Sequence, residues 1–176
     1  MGATGKRPTS RNLVLIRHAE AVSVTAGIAD LRRPLSPRGY AQATLMGTLL
    51  GYSKLYPDLI LCSHSERTVS TARILAQAMN LEQDNPVEDS RIYLNDIATL
   101  LRVIHGVPDH CRRVFMVGHN PDISELIAEL SGKPMRDQPP GTVASLCFDL
   151  DSWGYVAAGK GTLNFCIHPD QYDLGL

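Results

Sequence analysis

Apolar residues gather along this chain in two alternating rhythms. Short unbroken runs, Asn12 to Ile16, Leu59 to Cys62 and Val114 to Val117, read as buried strands. Between them apolar positions recur at helical spacing, through Tyr40, Ala43, Met46, Leu49 and Leu50, then Val69, Ala72, Leu75 and Met79, then Ile97, Leu100, Leu101 and Ile104. Boundary residues sharpen these helices. Ser36-Pro37 pairs an N-cap with a proline at the first helical position, Ser65 caps the second helix and Asn80 ends it. Asn95 caps the third, which Gly106 stops; Asn120 caps a fourth, Pro121 to Leu130, closed by Gly132. A weaker strand covers Val87 to Tyr93. Two more, Val143 to Leu150 and Gly161 to Ile167, are joined through a glycine-rich turn. Strands alternating with helices predict an α/β fold, a three-layer α/β/α sandwich around a mostly parallel central sheet. Residues 1–11, rich in Gly, Ser, Thr and basic residues, read as a disordered arm, and residues 12–176 as one domain.

Composition narrows the classes. The 176 residues are 44% hydrophobic and 20% charged with a formal net charge of -1, which fits a globular chain and gives no electrostatic footprint for nucleic acid. No run is long and apolar enough for a membrane span, and the first residues lack the apolar centre of a signal peptide, so the expectation is a soluble cytoplasmic protein. Gly2 invites a myristoylation reading, but Lys6 stands where that motif needs Ser or Thr. Cys62, Cys111, Cys147 and Cys166 form no C-x-x-C pair and read as free thiols, not as metal or redox ligands.

In open α/β sheets ligands gather beyond the carboxyl ends of the strands. Arg17 and His18 follow the first strand, Ser63 to Arg67 (SHSER) the second, and Gly118 to Asn120 (GHN) the Val114 strand. Each alone has an ordinary reading: a solvated strand exit, a surface cation, a turn with a cap. Arg67, however, stands on a first helical turn, where a cation opposes the helix dipole, and such local conflicts tend to mark functional sites. Together Arg17, His18, Arg67 and His119 make a pocket for an anion, with only Glu20 and Glu66 as acids at those exits. Gly154 to Thr162, GYVAAGKGT, comes close to a phosphate-binding loop, but it lies between two strands with Gly161 where Ser or Thr should hold magnesium, so it reads as a hairpin connection. His105, His110 and His168 are isolated and read as structural or surface residues.

The segments LVLIRHAEA, SHSERTVSTA and VGHNPDISEL, in this order, resemble the three signatures of the histidine phosphatase superfamily, the phosphoglycerate mutase and acid phosphatase relatives. RHAEA, the RPLSPRG run from Arg33 to Gly39 and SLCFD at Ser145 to Asp149 resemble its SixA-type phosphohistidine phosphatase branch. The resemblance spans Asn12 to about Phe165. It implies a phosphoglycerate mutase-like fold and a phosphatase in which His18 attacks phosphorus while Arg17, Arg67 and His119 surround the phosphoryl oxygens and bind substrate. It implies no metal and no cofactor. That chemistry suits the residues: phosphoryl transfer depends on positioning and on cations around equatorial oxygens, and guanidiniums offer planar paired donors that stay charged. His18 must be neutral to attack, a state that surrounding cations favour. His119 is expected to act as a donor.

Three departures from the family pattern stand out, and the last of them bears on the chemistry. Ala19 replaces the glycine of R-H-G, and His64 stands where the family often has proline. No equivalent of the mutase-like general acid is evident; Glu20, Glu66, Glu88, Asp89 and Asn95 are the available candidates. An absent acid fits a leaving group that departs readily, such as the imidazole of phosphohistidine, better than an alkoxide. The expected substrate is therefore phosphohistidine in a protein. Alternatives are a broad small-molecule phosphomonoesterase and a non-catalytic phosphate- or phosphoprotein-binding module.

Overall fold

The computed structural model describes residues 10–24, 27–81 and 86–172. Six strands form one sheet: β1 (Ser10–Arg17), β2 (Leu59–Cys62), β3 (Val87–Glu88), β4 (Arg113–Gly118), β5 (Val143–Asp149) and β6 (Thr162–Ile167). Four helices accompany them: α1 (Pro37–Tyr52), α2 (Glu66–Ala78), α3 (Ile97–His105) and α4 (Asp122–Ser131). The sheet order is β3-β2-β4-β1-β5-β6. β3, β2, β4 and β1 run parallel, whereas β5 pairs antiparallel with β1 and with β6. The sheet is thus mixed, parallel over the half that carries the strand exits singled out above.

Why these strands lie in the middle follows from their side chains. In β1, Leu13 and Leu15 enter one apolar cluster and Val14 and Ile16 the other, so both faces are covered and the run reads apolar throughout. The first cluster packs against α3 and α4 through Leu100, Ile104, Ile123 and Leu126, the second against α1 and α2 through Met46, Leu50, Ala72 and Leu75. Helices therefore cover both faces, as expected of a three-layer sandwich. No helix among the described residues is long and apolar enough to cross a membrane.

Several expectations at element ends change. β1 begins at Ser10, inside the stretch expected to be a disordered arm; Arg11 is 3% exposed and donates to the carbonyls of Asp109, Cys111 and Asp151. The rest of that arm, residues 1–9, lies outside the described residues. The strand expected over Val87 to Tyr93 is confined to Val87–Glu88, because a 3-10 turn, Ser90–Ile92, opens on the Asp89 side chain. α3 is capped by Asp96, whose carboxylate accepts from Thr99 N at 2.7 Å, and not by Asn95. Asn120 caps nothing: its amide donates to Asp137 and Gln138. Ser36 does cap α1, accepting from Gly39 N at 3.0 Å, and Gly132 closes α4 with φ 65°. The loop expected as a hairpin connection joins antiparallel β5 and β6.

Candidate active site

The exits of β1, β2 and β4 lie side by side because those three strands are adjacent and parallel. β1 ends at Arg17, and the backbone of His18 is then fixed twice, its N–H donating to Gly118 O at 3.0 Å and its carbonyl accepting from Gly141 N at 3.1 Å. Ala19 is fully buried, its N–H donating to Thr71 Oγ1 at 3.1 Å, which ties the exit loop to α2. Glycine is required one step further on. A Cβ at Gly39 would stand 2.0 Å from the Glu20 carbonyl oxygen, so the first turn of α1 can approach this loop only without a side chain.

His18 presents one nitrogen. Its Nδ1 lies 2.7 Å from Ala19 O and must donate to that carbonyl, which leaves Nε2 without a proton. Arg67 Nε points at this Nε2 from 3.3 Å. Burial pushes the His18 imidazole down to about 4, and the guanidiniums of Arg67, Arg17 and Arg33 push the same way, against the Ala19 hydrogen bond. The ring is therefore neutral at pH 7. The cations act in the expected direction, but burial is the larger cause.

Arg67 is 4% exposed on the first turn of α2, held inward against the helix dipole. Its NH2 group lies 3.2 Å from His119 Nδ1. His119, 2% exposed, places Nε2 2.9 Å from Ser63 Oγ, and its ring centroid is 5.1 Å from that of His18. With Arg67 donating to Nδ1, His119 carries its proton on Nε2, and burial with His18 and Arg67 nearby depresses it to about 3. Arg17 NH1 donates to Gln138 O and lies 3.8 Å from Asp137 Oδ2, while its buried Nε meets no hydrogen-bond partner among the described residues. Of the four residues singled out from the sequence, His18, Arg67 and His119 thus meet directly, while Arg17, next to His18 in the chain, bears on it through its charge. Asn120 contributes indirectly, holding the 137–138 segment that receives Arg17.

The acids fall differently. Glu20 accepts from Ser36 Oγ at 2.6 Å and faces Arg38 at 3.9 Å; Asp89 is bound by Arg91. Glu66 and Glu88 line a shallow groove with Leu31, Arg32 and His64. Asn95 only donates its backbone N–H to Asp122. Besides Asp137 beside Arg17, one further carboxylate among the described residues bonds the site's cations, Asp30, unmarked in the sequence except as a lone acid before Leu31-Arg32-Arg33. It bonds Arg67 NH2 at 2.9 Å, Arg33 NH1 at 2.9 Å and Tyr93 OH at 2.7 Å. The Tyr93 hydroxyl above all, with Arg33 and Arg67, holds Asp30 well below the usual carboxylate range, although partial burial opposes it. Tyr93 also sets its ring edge-on to His119 and His64, with centroids 5.2 and 5.3 Å apart. Among the described residues no cluster of three or more His, Cys, Asp or Glu side chains could hold a metal ion.

A neutral imidazole faced by the buried Arg67 guanidinium, at the exits of parallel strands, is an arrangement suited to a phosphoryl group. The chain belongs to the histidine phosphatase superfamily, whose branch 1 model matches residues 13–89. It is 34% identical over 123 residues to an uncharacterised protein of Mycobacterium tuberculosis, covering 66% of this chain and 72% of that protein. It is 33% identical over 86 residues to the adenosylcobalamin/alpha-ribazole phosphatase of Salmonella typhimurium, covering 48% and 42% respectively. The structure superposes with a TM-score of 0.76 and 27% identity on a candidate SixA phosphohistidine phosphatase from Nakamurella multipartitia, over 91% of this chain and 96% of that one. Its shape matches the SixA-type branch.

Proposed function

We propose that the protein hydrolyses phosphohistidine in a partner protein, by a metal-independent route through a phosphorylated His18. One observation carries this reading: the Ala19 carbonyl fixes the His18 tautomer, so Nε2 stands bare against Arg67. Nε2 attacks phosphorus in line with the substrate P–N bond, which breaks as the substrate imidazole departs with a proton from water. Arg67 and Arg17, the latter with a buried Nε that meets no hydrogen-bond partner among the described residues, take the equatorial oxygens, where charge accumulates. His119 is neutral in the empty pocket. A phosphoryl dianion beside it raises its affinity for a proton, so that Nδ1 becomes a donor to a phosphoryl oxygen. Water then cleaves the His18–phosphorus bond and releases inorganic phosphate.

The state of Asp30 supports this choice of leaving group. Held as an anion by Tyr93, Arg33 and Arg67, it has no proton to give near neutral pH. An alkoxide needs such a proton; the imidazole of phosphohistidine takes one from solvent readily. The likeness to the alpha-ribazole phosphatase supports a second reading, a phosphomonoesterase acting on small molecules.

One assay separates these. A histidine-phosphorylated phosphotransfer protein is incubated with the parent and with His18→Ala, in EDTA, and phosphate release is followed beside a panel of phosphomonoesters. Release by the parent alone, with label trapped on His18 and much slower turnover of the esters, is the expected result. Comparable turnover of esters would transfer the reading to the phosphomonoesterase. Release that survives His18→Ala or stops in EDTA would end the proposed mechanism.

A further inference from the structure

Arg67 has two working edges, and they face different partners. Its Nε and NH2 groups face His18 Nε2 and His119 Nδ1 at 3.3 and 3.2 Å. Its NH1 donates to the backbone carbonyl of Asp30 at 2.6 Å, and NH2 also donates to that residue's Oδ2 at 2.9 Å. One residue therefore grips the outer edge of the guanidinium with two oxygens and leaves the inner edge turned to the nucleophile. We propose that Asp30 is a positioning residue: its paired oxygens hold Arg67 so that the Nε edge stays aimed at the phosphoryl group on His18. This rests on the reading of His18 as nucleophile.

Three parts of the fold meet in this grip. Asp30 opens a 3-10 turn, Asp30–Arg32, in the segment between Ala21 and Leu35, which are bridged to each other. Arg33 fastens the segment to itself, donating from Nε and NH2 to Val22 O and from NH1 to Asp30 Oδ1. Arg67 comes from α2 and Tyr93 from the chain leading to α3, so the carboxylate is braced from a third direction by the Tyr93 hydroxyl. The same tyrosine ring meets His119 edge-on at 90°. An arginine has several rotatable bonds, and a planar fork aimed within a few tenths of an ångström is useful only if something holds it; a misplacement of about 1 Å can cost about 100-fold in rate.

A competing reading makes Asp30 an internal anion that substrate must displace from Arg67. The two differ in sign. Asp30→Asn keeps the backbone carbonyl and nearly the same shape but removes the charge. Positioning predicts that kcat falls about 10- to 100-fold. Removing a negative charge beside an anion site should meanwhile leave the affinity for inorganic phosphate unchanged or tighter. A displaced latch predicts that kcat/KM rises. Loss of the segment's structure would weaken phosphate binding and lower Tm together.

The experiment measures kcat and KM for parent, Asp30→Asn and Tyr93→Phe on whichever phosphorylated substrate the parent turns over, phosphate affinity by titration, and the Arg67 side-chain N–H signals by 15N NMR. In the parent the Arg67 guanidinium should rotate slowly and its protons stay protected; in Asp30→Asn rotation should quicken, and in Tyr93→Phe partly so. Unchanged kcat, a raised kcat/KM, phosphate affinity lost with Tm, or Arg67 signals like those of the parent would each overturn the proposal. If no substrate is turned over by the parent, the His18 reading fails, while the NMR and phosphate arms still decide Asp30.

Discussion

Lowering the pH from 8 to 5 should remove about 2 kcal/mol of stability from the parent that a His18→Gln variant does not lose. An imidazole in the unfolded chain titrates near 6.5, whereas burial holds His18 at about 4 in the folded one. As pH falls below about 6.5 the unfolded state takes up the proton first, so unfolding is favoured. The contribution of the neutral ring is complete above that value and disappears as pH approaches 4. The full gap corresponds to about 3 kcal/mol, at about 1.4 kcal/mol for each pH unit between the two values, and about 2 of these are gone at pH 5. His119, held at about 3, stays neutral in both folded proteins at pH 5 and cancels in the comparison. Urea unfolding of both proteins at the two pH values, followed through the single and fully buried Trp153, reads the difference directly. A histidine NMR titration should find His18 about 3% protonated at pH 5.5, where an ordinary histidine is about 90% protonated. A parent-minus-variant difference under about 0.5 kcal/mol would refute the argument, for the ring would then titrate alike folded and unfolded. The proposed nucleophile would then be a cation at mildly acidic pH.

Arg67→Lys should keep the fold but lower kcat/KM about 100- to 1,000-fold, because an ammonium cannot present the planar fork that reaches both histidines; steady-state kinetics beside a far-ultraviolet spectrum checks it. Gly39→Ala drives a Cβ into the Glu20 carbonyl and should cost about 3 kcal/mol in urea unfolding, with activity falling as the loop after His18 shifts. Arg11→Ala strips a buried guanidinium from the carbonyls of Asp109, Cys111 and Asp151 at the far end of β1, about 20 Å from His18 along the strand. It should cost about 3 kcal/mol in thermal or urea unfolding while leaving turnover per folded molecule as in the parent.

What could be read from the sequence was what strands and helix starts state locally. The run into Arg17-His18 ends a strand wherever the fold is α/β, and the parallel neighbours β2 and β4 bring Arg67 and His119 to the same edge without any further information. Caps were less secure, since Asn95 and Asp96 are equally good by type and only the Thr99 N–H decides between them. Asn120 had the look of a cap, yet its amide is spent on Asp137 and Gln138 from a segment 17 and 18 residues away. This second choice is tertiary, and no local pattern encodes it.

Asp30 is the sharper instance, and it changes the chemical argument. A search for a proton donor looks for carboxyl groups near the strand exits and passes over the segment between Ala21 and Leu35, which has neither helical nor strand rhythm. The structure delivers an acid to the pocket from that segment, but in the wrong state to serve as a donor. A carboxyl group becomes an acid at pH 7 when burial outweighs its cationic neighbours, and Asp30 has the reverse balance: little burial, two guanidiniums and a phenol. The gap left by the missing general acid is therefore not filled by the one carboxylate that grips Arg67. On the positioning proposed for it, that residue holds a cation still, and this is consistent with a substrate whose leaving group needs no help from the enzyme.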